Sequence, residues 1–299
     1  MTTLFAAAVA VQSALADARG RIDAVDARAL LCAVLGRDAA YLIAHGEDVL
    51  TAKQALTYES WVARREAGEP VAYITGLREF YGRAFTVTPD VLIPRPETEL
   101  LVDAAVAEIA ARLTGGPRPR GAPVLRIADV GTGSGAIALA LLAALRRRGM
   151  ADQVLVIATD ASDGALDLAR ENAVGHGLAD RMVFVAADLL PPVVDPPYAI
   201  VCANLPYVAS GEIDGLGREL AYEPRSALDG GPDGLDLVRR LLDRLPDALA
   251  GDGVALLEIG ADQGGTVVEA VHEQLPGWRC AIHVDLAGLP RVARVERGA

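Results

Sequence analysis

Aromatic residues make up only 4% of the 299 positions, and histidine and cysteine number four and three. Cys32, Cys202 and Cys280 are far apart and sit in apolar settings such as LLCAVL and AIVCAN. An odd, scattered set excludes a disulfide framework and a thiolate metal site, and reads as small buried hydrophobes. His45, His176, His272 and His283 fall into no ligand spacing such as HExxH, so no metal is expected. Arginine and aspartate interrupt every apolar run before it reaches the roughly 18 to 20 residues of a membrane span. The early FAAAVAVQSALA has no basic residue before it, and Asp17 and Arg19 continue it as an amphipathic pattern rather than a secretion signal. A cytoplasmic protein with no membrane partner is the expectation. Basic charge is also short: 28 Lys and Arg stand against 40 Asp and Glu, giving a net −12 and a pI near 4.8. Neutralising a phosphate backbone needs clustered cations, so no direct nucleic-acid partner is expected.

What the chain has in quantity is apolar residues, 52%, chiefly alanine, leucine and valine, as in an α/β protein with a sizeable core. The length suits about two domains on a prior of roughly 100 to 200 residues each. Amphipathic helices are expected over 2–18, 24–35 and 51–66, each followed closely by a glycine, at Gly20, Gly36 and Gly68. From Phe80 to Val91 the pattern turns to alternation punctuated by Gly82 and Pro89, which predicts a short hairpin. LIPRPETELLVDAAVAEIAARL opens with prolines and an acidic first turn, the mark of a helix start, and GGPRPRGAP at 115–123 reads as a loop. Beyond it strand-like runs alternate with helices at 136–147, 163–176, 235–249 and 264–274, closing with strands near 278–285 and 291–296. Such alternation predicts a mostly parallel, doubly wound sheet, in which ligands sit beyond the carboxyl ends of the strands.

The motifs fall at those ends. Asp129-Val130-Gly131-Thr132-Gly133-Ser134-Gly135 joins a strand to a helix through a G-x-G-x-G turn, whose glycines let backbone approach a ligand. Asp160 ends the next strand, where a carboxylate can accept from ribose hydroxyls. Asp188, followed by Leu189, ends the third, where it or its backbone can meet an adenine amine. The fourth strand ends in Asn204-Leu205-Pro206-Tyr207. This tetrapeptide resembles the signature of the amino-methyltransferases, which use S-adenosylmethionine. An amide nitrogen is a poor nucleophile, and two acceptors holding its hydrogens would aim its lone pair. The Asn204 oxygen and the Leu205 carbonyl can serve, Pro206 restricts the preceding residue to extended geometry, and Tyr207 can stack on a flat acceptor.

Phe80-Tyr81-Gly82, the run Leu92-Ile93-Pro94-Arg95-Pro96-Glu97-Thr98-Glu99, Tyr222-Glu223-Pro224-Arg225 and Leu257-Glu258-Ile259-Gly260 resemble the release-factor glutamine methyltransferases along essentially the whole chain. The resemblance implies a Rossmann-like, seven-stranded class I methyltransferase sheet with a small helical N-terminal domain joined by a β-hairpin. The implied domains are a helical substrate-recognition domain over 1–75, a hairpin linker over 76–96 and an S-adenosylmethionine-dependent methyltransferase domain over 97–299. Gly131, Thr132, Gly133, Ser134, Gly135, Asp160, Asp188, Leu189 and Asn204 would hold the cofactor. Asn204, Leu205, Pro206 and Tyr207 would be catalytic and hold the acceptor, the glutamine of the Gly-Gly-Gln tripeptide in class I peptide chain release factors. Arg95 and Glu97 read equally as substrate contacts or as a helix start, and the Tyr222–Arg225 loop as a lid or a rigid turn. Two departures stand out. Leu205 occupies a position where the family usually has proline, a variant shared with ribosomal RNA adenine dimethylases, so adenine in nucleic acid is the alternative acceptor. Leu189 stands where some relatives have an aromatic residue.

Overall fold

The computed structural model describes residues 9–114 and 124–298. Residues 2–8 of the helix expected over 2–18, and the loop expected at 115–123, lie outside the described residues. Two compact units are present: the first ends at Leu77 and includes Gly217–Tyr222, and the second comprises Arg78–Leu216 and Glu223–Ala299.

The first unit is helical, with α1 (Val11–Ala18), α2 (Ala24–Leu35), α3 (Ala39–Ala44), α4 (Ala52–Glu66) and α5 (Val71–Thr75). Side chains meet the free N–H groups at three helix starts: Asp23 at α2, Asp38 at α3, and Thr51 with Gln54 in a reciprocal capping box at α4. Its core gathers Val11, Leu30, Leu31, Leu42, Tyr58, Val62 and Ile74. The short α3 and α5 are absent from the sequence expectation, since six and five residues hold too little periodicity to read. Segment 217–222 joins this unit through an Arg65–Glu219 ion pair and through Arg218, whose Nη2 donates to the Ala67 carbonyl at 3.0 Å.

The second unit starts with a hairpin, β1 (Leu77–Phe80) and β2 (Arg83–Thr86), earlier than the Phe80–Val91 pattern suggested, because the turn falls at Tyr81-Gly82, both with positive φ. Residues 92–95 are not helical; a 3-10 turn at Pro96–Thr98 leads into α6 (Glu99–Thr114). Then come β3 (Leu125–Val130), α7 (Ala136–Arg147), β4 (Val154–Asp160), α8 (Asp163–Gly175), β5 (Met182–Ala186) and β6 (Tyr198–Ala203). The helix expected over 235–249 is interrupted before Pro246, which cannot donate to the preceding turn, giving α9 (Asp236–Leu242) and α10 (Leu245–Ala248). The chain ends with β7 (Leu249–Glu258), α11 (Gly264–Gln274), β8 (Trp278–Val284) and β9 (Pro290–Arg297).

Seven strands form one sheet in the order β5-β4-β3-β6-β7-β9-β8, and only β9 runs against the rest. Successive strand residues serve opposite faces: Ile127, Val156, Ile200 and Leu256 join a core with α6 and α7, while Ala128, Ile157, Val201 and Leu257 join one with α9 and α11. Winding reverses between β3 and β6, and the crevice past the carboxyl ends of this pair is where open α/β sheets take their ligands.

Asn172 on α8 braces that crevice. Its Nδ2 donates to the carbonyls of Thr86 and Ser134, and its Oδ1 accepts from Thr86 N–H at 2.9 Å. Asn172→Ala orphans the buried Ser134 carbonyl and frees two partly buried groups of Thr86, so its urea midpoint falls, with a loss on the order of 2 kcal/mol. A midpoint equal to that of the unmodified chain would show that water replaces the side chain freely.

Candidate active site

The turn after β3 is built on glycine. Gly133 adopts φ 54° and has open space where a Cβ would stand, so left-handed geometry is what excludes a side chain there. Gly131 is limited by a neighbour as well, since an added Cβ would meet Leu205 Cδ2 at 3.3 Å. Gly135 lies against Ala169 of α8 at the same distance and serves helix packing. Thr132 N–H donates to the Thr159 carbonyl at 2.9 Å, tying the turn to the end of β4.

Asp129, inside β3, is fully buried. Its Oδ2 accepts from the Thr132 hydroxyl at 2.7 Å and from Ala138 N–H at 3.2 Å, one of the free donors of the first turn of α7; its Oδ1 has no partner. Burial pushes this carboxyl up to about 6, against the pull of those two hydrogen bonds.

Asp160 turns both oxygens to backbone: Oδ2 accepts from Gly133 N–H at 3.0 Å and Oδ1 from Ser162 N–H at 2.9 Å. Each oxygen keeps a lone pair for a further donor. Asp188 is exposed and paired with Arg240 of α9. Leu189 adopts φ 67°, a backbone that costs a leucine about 1 to 2 kcal/mol, and its carbonyl is held by the Thr159 hydroxyl at 2.6 Å.

Past β6, Asn204 Nδ2 donates to Thr98 Oγ1 at 3.1 Å, which fixes the amide and turns its oxygen away from Thr98. The Leu205 side chain is buried in the core with Val130, Leu235 and Leu257. Gln263 Nε2 holds the Tyr207 carbonyl at 2.9 Å, while Gln263 Oε1 accepts from Gly260 N–H at 2.8 Å. Burial, and next the charge of Glu258, push the Tyr207 phenol above its ordinary range. The segment 224–234 straps this loop: Val208 N–H donates to the Leu228 carbonyl, Gly230 N–H to that of Val208 and Ser210 N–H to that of Gly231. Gly234 has φ 78°, and a Cβ there would stand 2.2 Å from the Tyr207 oxygen, so no side chain fits. Before the strap, buried Glu223 accepts from Ile93 N–H at 3.0 Å and pairs with Arg95, which commits the Arg95 guanidinium to a brace.

A cavity of about 470 Å³ brings together Gly131, Thr132, Gly133, Ser134, Asp160, Asp188, Leu189, Asn204, Leu205 and Pro206. Gly135, Tyr207, Arg95 and Glu97 do not line it, and Glu97 is exposed. Sequence reasoning missed Asp90, Thr98, Ser162, Ser226 and Leu237 among its walls. Thr98 was in view inside IPRPETE, but its partner is 106 positions away and no local pattern pairs them. An elongated molecule with a hydroxylated sugar and a flat base fits these walls. Free lone pairs on Asp160 face it, Gly133 leaves backbone uncovered, and Leu189 offers an apolar side. No metal-ligating cluster exists among the described residues.

Two outcomes follow. Because the folded Asp129 titrates above its unfolded value of about 4, its contribution to stability is whole below that pH and is lost as pH rises through 6. Asp129→Asn therefore flattens the fall in unfolding free energy between pH 4 and 7, by on the order of 2 to 3 kcal/mol at about 1.4 kcal/mol per pH unit. Urea titrations across that range check the slope. Gly234→Ala displaces the Tyr207 carbonyl and lowers the melting temperature, whereas alanine at Gly211, with no atom nearby, leaves it unchanged; equal melting of the two variants would contradict the strap.

Comparison with known proteins agrees with this geometry. Residues 7–76 match the model described as the PrmC N-terminal domain, and residues 120–235 that of the methyltransferase small domain. A release factor glutamine methyltransferase from Bradyrhizobium diazoefficiens is 39% identical over 280 residues, 91% of this chain and 88% of that protein. One from Koribacter versatilis is 39% identical over 272 residues, 90% and 89% of the two chains. The solved hMettl16 catalytic domain, in complex with the MAT2A 3'UTR hairpin 6, superposes with a TM-score of 0.54 at 16% identity, covering 85% of each chain, and speaks for the fold alone. The sheet is that of a Rossmann-like class I methyltransferase, and the chain belongs to the release factor glutamine methyltransferase family.

Proposed function

We propose that this enzyme transfers the methyl group of S-adenosylmethionine to the side-chain amide nitrogen of the Gly-Gly-Gln glutamine in class I peptide chain release factors. The observation that carries the reading is the Asn204–Thr98 hydrogen bond, which fixes an amide at the wall of the cavity that Gly133 and Asp160 also line. Cofactor side and acceptor side thus share one space. When bound, the cofactor supplies an electrophilic methyl group on sulfur. Gly131–Ser134, Asp160 and Asp188 with Leu189 are the residues assigned to hold it. The Asn204 oxygen and the Leu205 carbonyl accept from the two hydrogens of the acceptor amide, which turns its lone pair toward the cofactor. Pro206 and the strap keep that loop in place, and Tyr207 is assigned to cover the acceptor plane.

A charge map around Tyr207 weighs against adenine in nucleic acid. Tyr207 faces Glu258 and Glu97 against Arg291 and Arg95. Both arginines are already in ion pairs, with Asp285 and Glu223. A phosphate backbone would find no surplus of cations there. The helical first unit is assigned to release-factor recognition, and Arg95 to bracing rather than to substrate. No described helix is long and apolar enough to cross a membrane.

Labelled cofactor incubated with a purified release factor should label the intact factor, not its Gly-Gly-Ala variant and not ribosomal RNA; label on RNA alone would overturn the reading. Asn204→Ala should lower transfer on the order of 10²- to 10³-fold with cofactor affinity nearly unchanged. Asp160→Ala should weaken cofactor binding by roughly 10- to 100-fold, the range of a hydrogen bond to a charged group.

A further inference from the structure

An asparagine amide has nearly the same shape either way round, and its neighbours decide whether oxygen or NH₂ faces a ligand. Among the described residues its one side-chain hydrogen-bond partner is Thr98, a hydroxyl that can accept from NH₂ or donate to the oxygen, so Thr98 alone does not choose. Thr98 is 3% exposed, and its own proton must go to a protein group. Glu258, also 3% exposed, is the carboxylate that can take it: its Oε2 is buried without a hydrogen-bond partner among the described residues, and Thr98 acts on this carboxyl to favour its charged form. The sheet puts Asn204 and Glu258 side by side, since Ala203 of β6 lies opposite Leu257 of β7 and the next residues are Asn204 and Glu258. With its proton engaged by the carboxylate, Thr98 is left as an acceptor, Asn204 must donate to it, and the Asn204 oxygen faces the cavity.

We propose that Glu258, acting through Thr98, is the positioning residue that turns the Asn204 oxygen toward the acceptor amide. This rests on the reading of Asn204 as the acceptor clamp. The reversed amide would aim N–H groups at the N–H groups of the substrate, and the clamp would repel what it has to hold. Glu258 is faced by Thr98 and Glu97 from the turn before α6, by Arg95, by Tyr207 from the loop after β6 and by Arg291 of β9. Burial dominates and Glu97 adds to it, against Thr98, Arg291 and Arg95, so the carboxyl is pushed up to about 7. Once protonated, Glu258 donates to Thr98, the Thr98 proton is free to turn on Asn204, and the preference for the productive orientation disappears. Transfer therefore rises with pH through about 7.

The test uses the full chain with Thr98→Val, Thr98→Ser and Glu258→Gln, which keep volume closely. Thr98→Val should lower kcat roughly 10- to 100-fold, the cost of one orphaned hydrogen-bonding group, with KM for both substrates nearly unchanged. Thr98→Ser should restore most of the rate, and Glu258→Gln should remove the rise near pH 7. A second readout needs no substrate. The Asn204 side-chain amide resonances in ¹⁵N-labelled protein, identified by their loss in Asn204→Ala, should shift with pH around 7 in the unmodified chain and stay flat in Glu258→Gln. Unchanged kcat in Thr98→Val, or Asn204 resonances that titrate alike with and without Glu258, would overturn the proposal. Should the unmodified chain label no release factor, the substrate reading falls and the resonances alone decide the orientation.

Discussion

Parallel strands end in backbone groups that no neighbouring strand can pair, and in a cavity bounded by such ends each must find a side chain or water. This chain meets them with side chains brought from far along the sequence. Asp160 takes Gly133 N–H, Thr159 holds the Leu189 carbonyl, Gln263 the Tyr207 carbonyl, Glu223 the Ile93 N–H, and Asn172 three groups at once. The walls are therefore set by the fold before any ligand arrives. Transfer to a weakly nucleophilic amide depends on that, since orientation supplied beforehand is not drawn from the energy of binding.

Two carboxylates stand apart from this pattern. Asp129 and Glu258 occupy strands on either side of β6, both are buried, and each has one oxygen without a hydrogen-bond partner among the described residues. Both titrate well above an ordinary carboxylate for the same first cause, loss of water. Their surroundings differ. Asp129 has two donors on one oxygen and ties the glycine turn to the start of α7, a structural duty. Glu258 looks instead on a single hydroxyl and on charges of both signs, at the acceptor end of the site. In a protein of net charge −12, depth in the fold rather than overall charge sets the acidity of these two groups.

The sheet and the glycine turn were readable because they rest on local rules. The ends of α7, β4 and α11 agree with the sequence pattern to the residue, since each is marked by glycine, by an acidic strand end or by a clean change of period. Where the reading slipped, a local signal had a second meaning: Pro246 was absorbed into a helix that it interrupts, and Tyr81 made the hairpin turn earlier than the alternation implied. The roles of Arg95, Thr98 and Glu258 were illegible for another reason. The partners of Arg95 and Thr98 lie 128 and 106 positions away, and only the folded chain brings such pairs together. Arg95 read equally as a substrate contact or as part of a helix start; buried Glu223 is what makes it a brace.

Leu205 shows how the two halves of the site are joined. A residue proposed to act through its backbone carbonyl has its side chain free for packing, and this one enters the core beside Val130 and Leu257. Its Cδ2 also fills the space next to Gly131, where a Cβ would stand 3.3 Å away. The missing side chain at Gly131 thus makes room for the leucine at 205 as well as for backbone near a ligand. The glycine turn and the loop after β6 touch through that pair, so a larger residue at 131 would push on the proposed acceptor clamp whatever it did to cofactor binding. The shape of position 205 is answered by the glycine turn facing it, which is why a leucine sits there without opening the cavity between them.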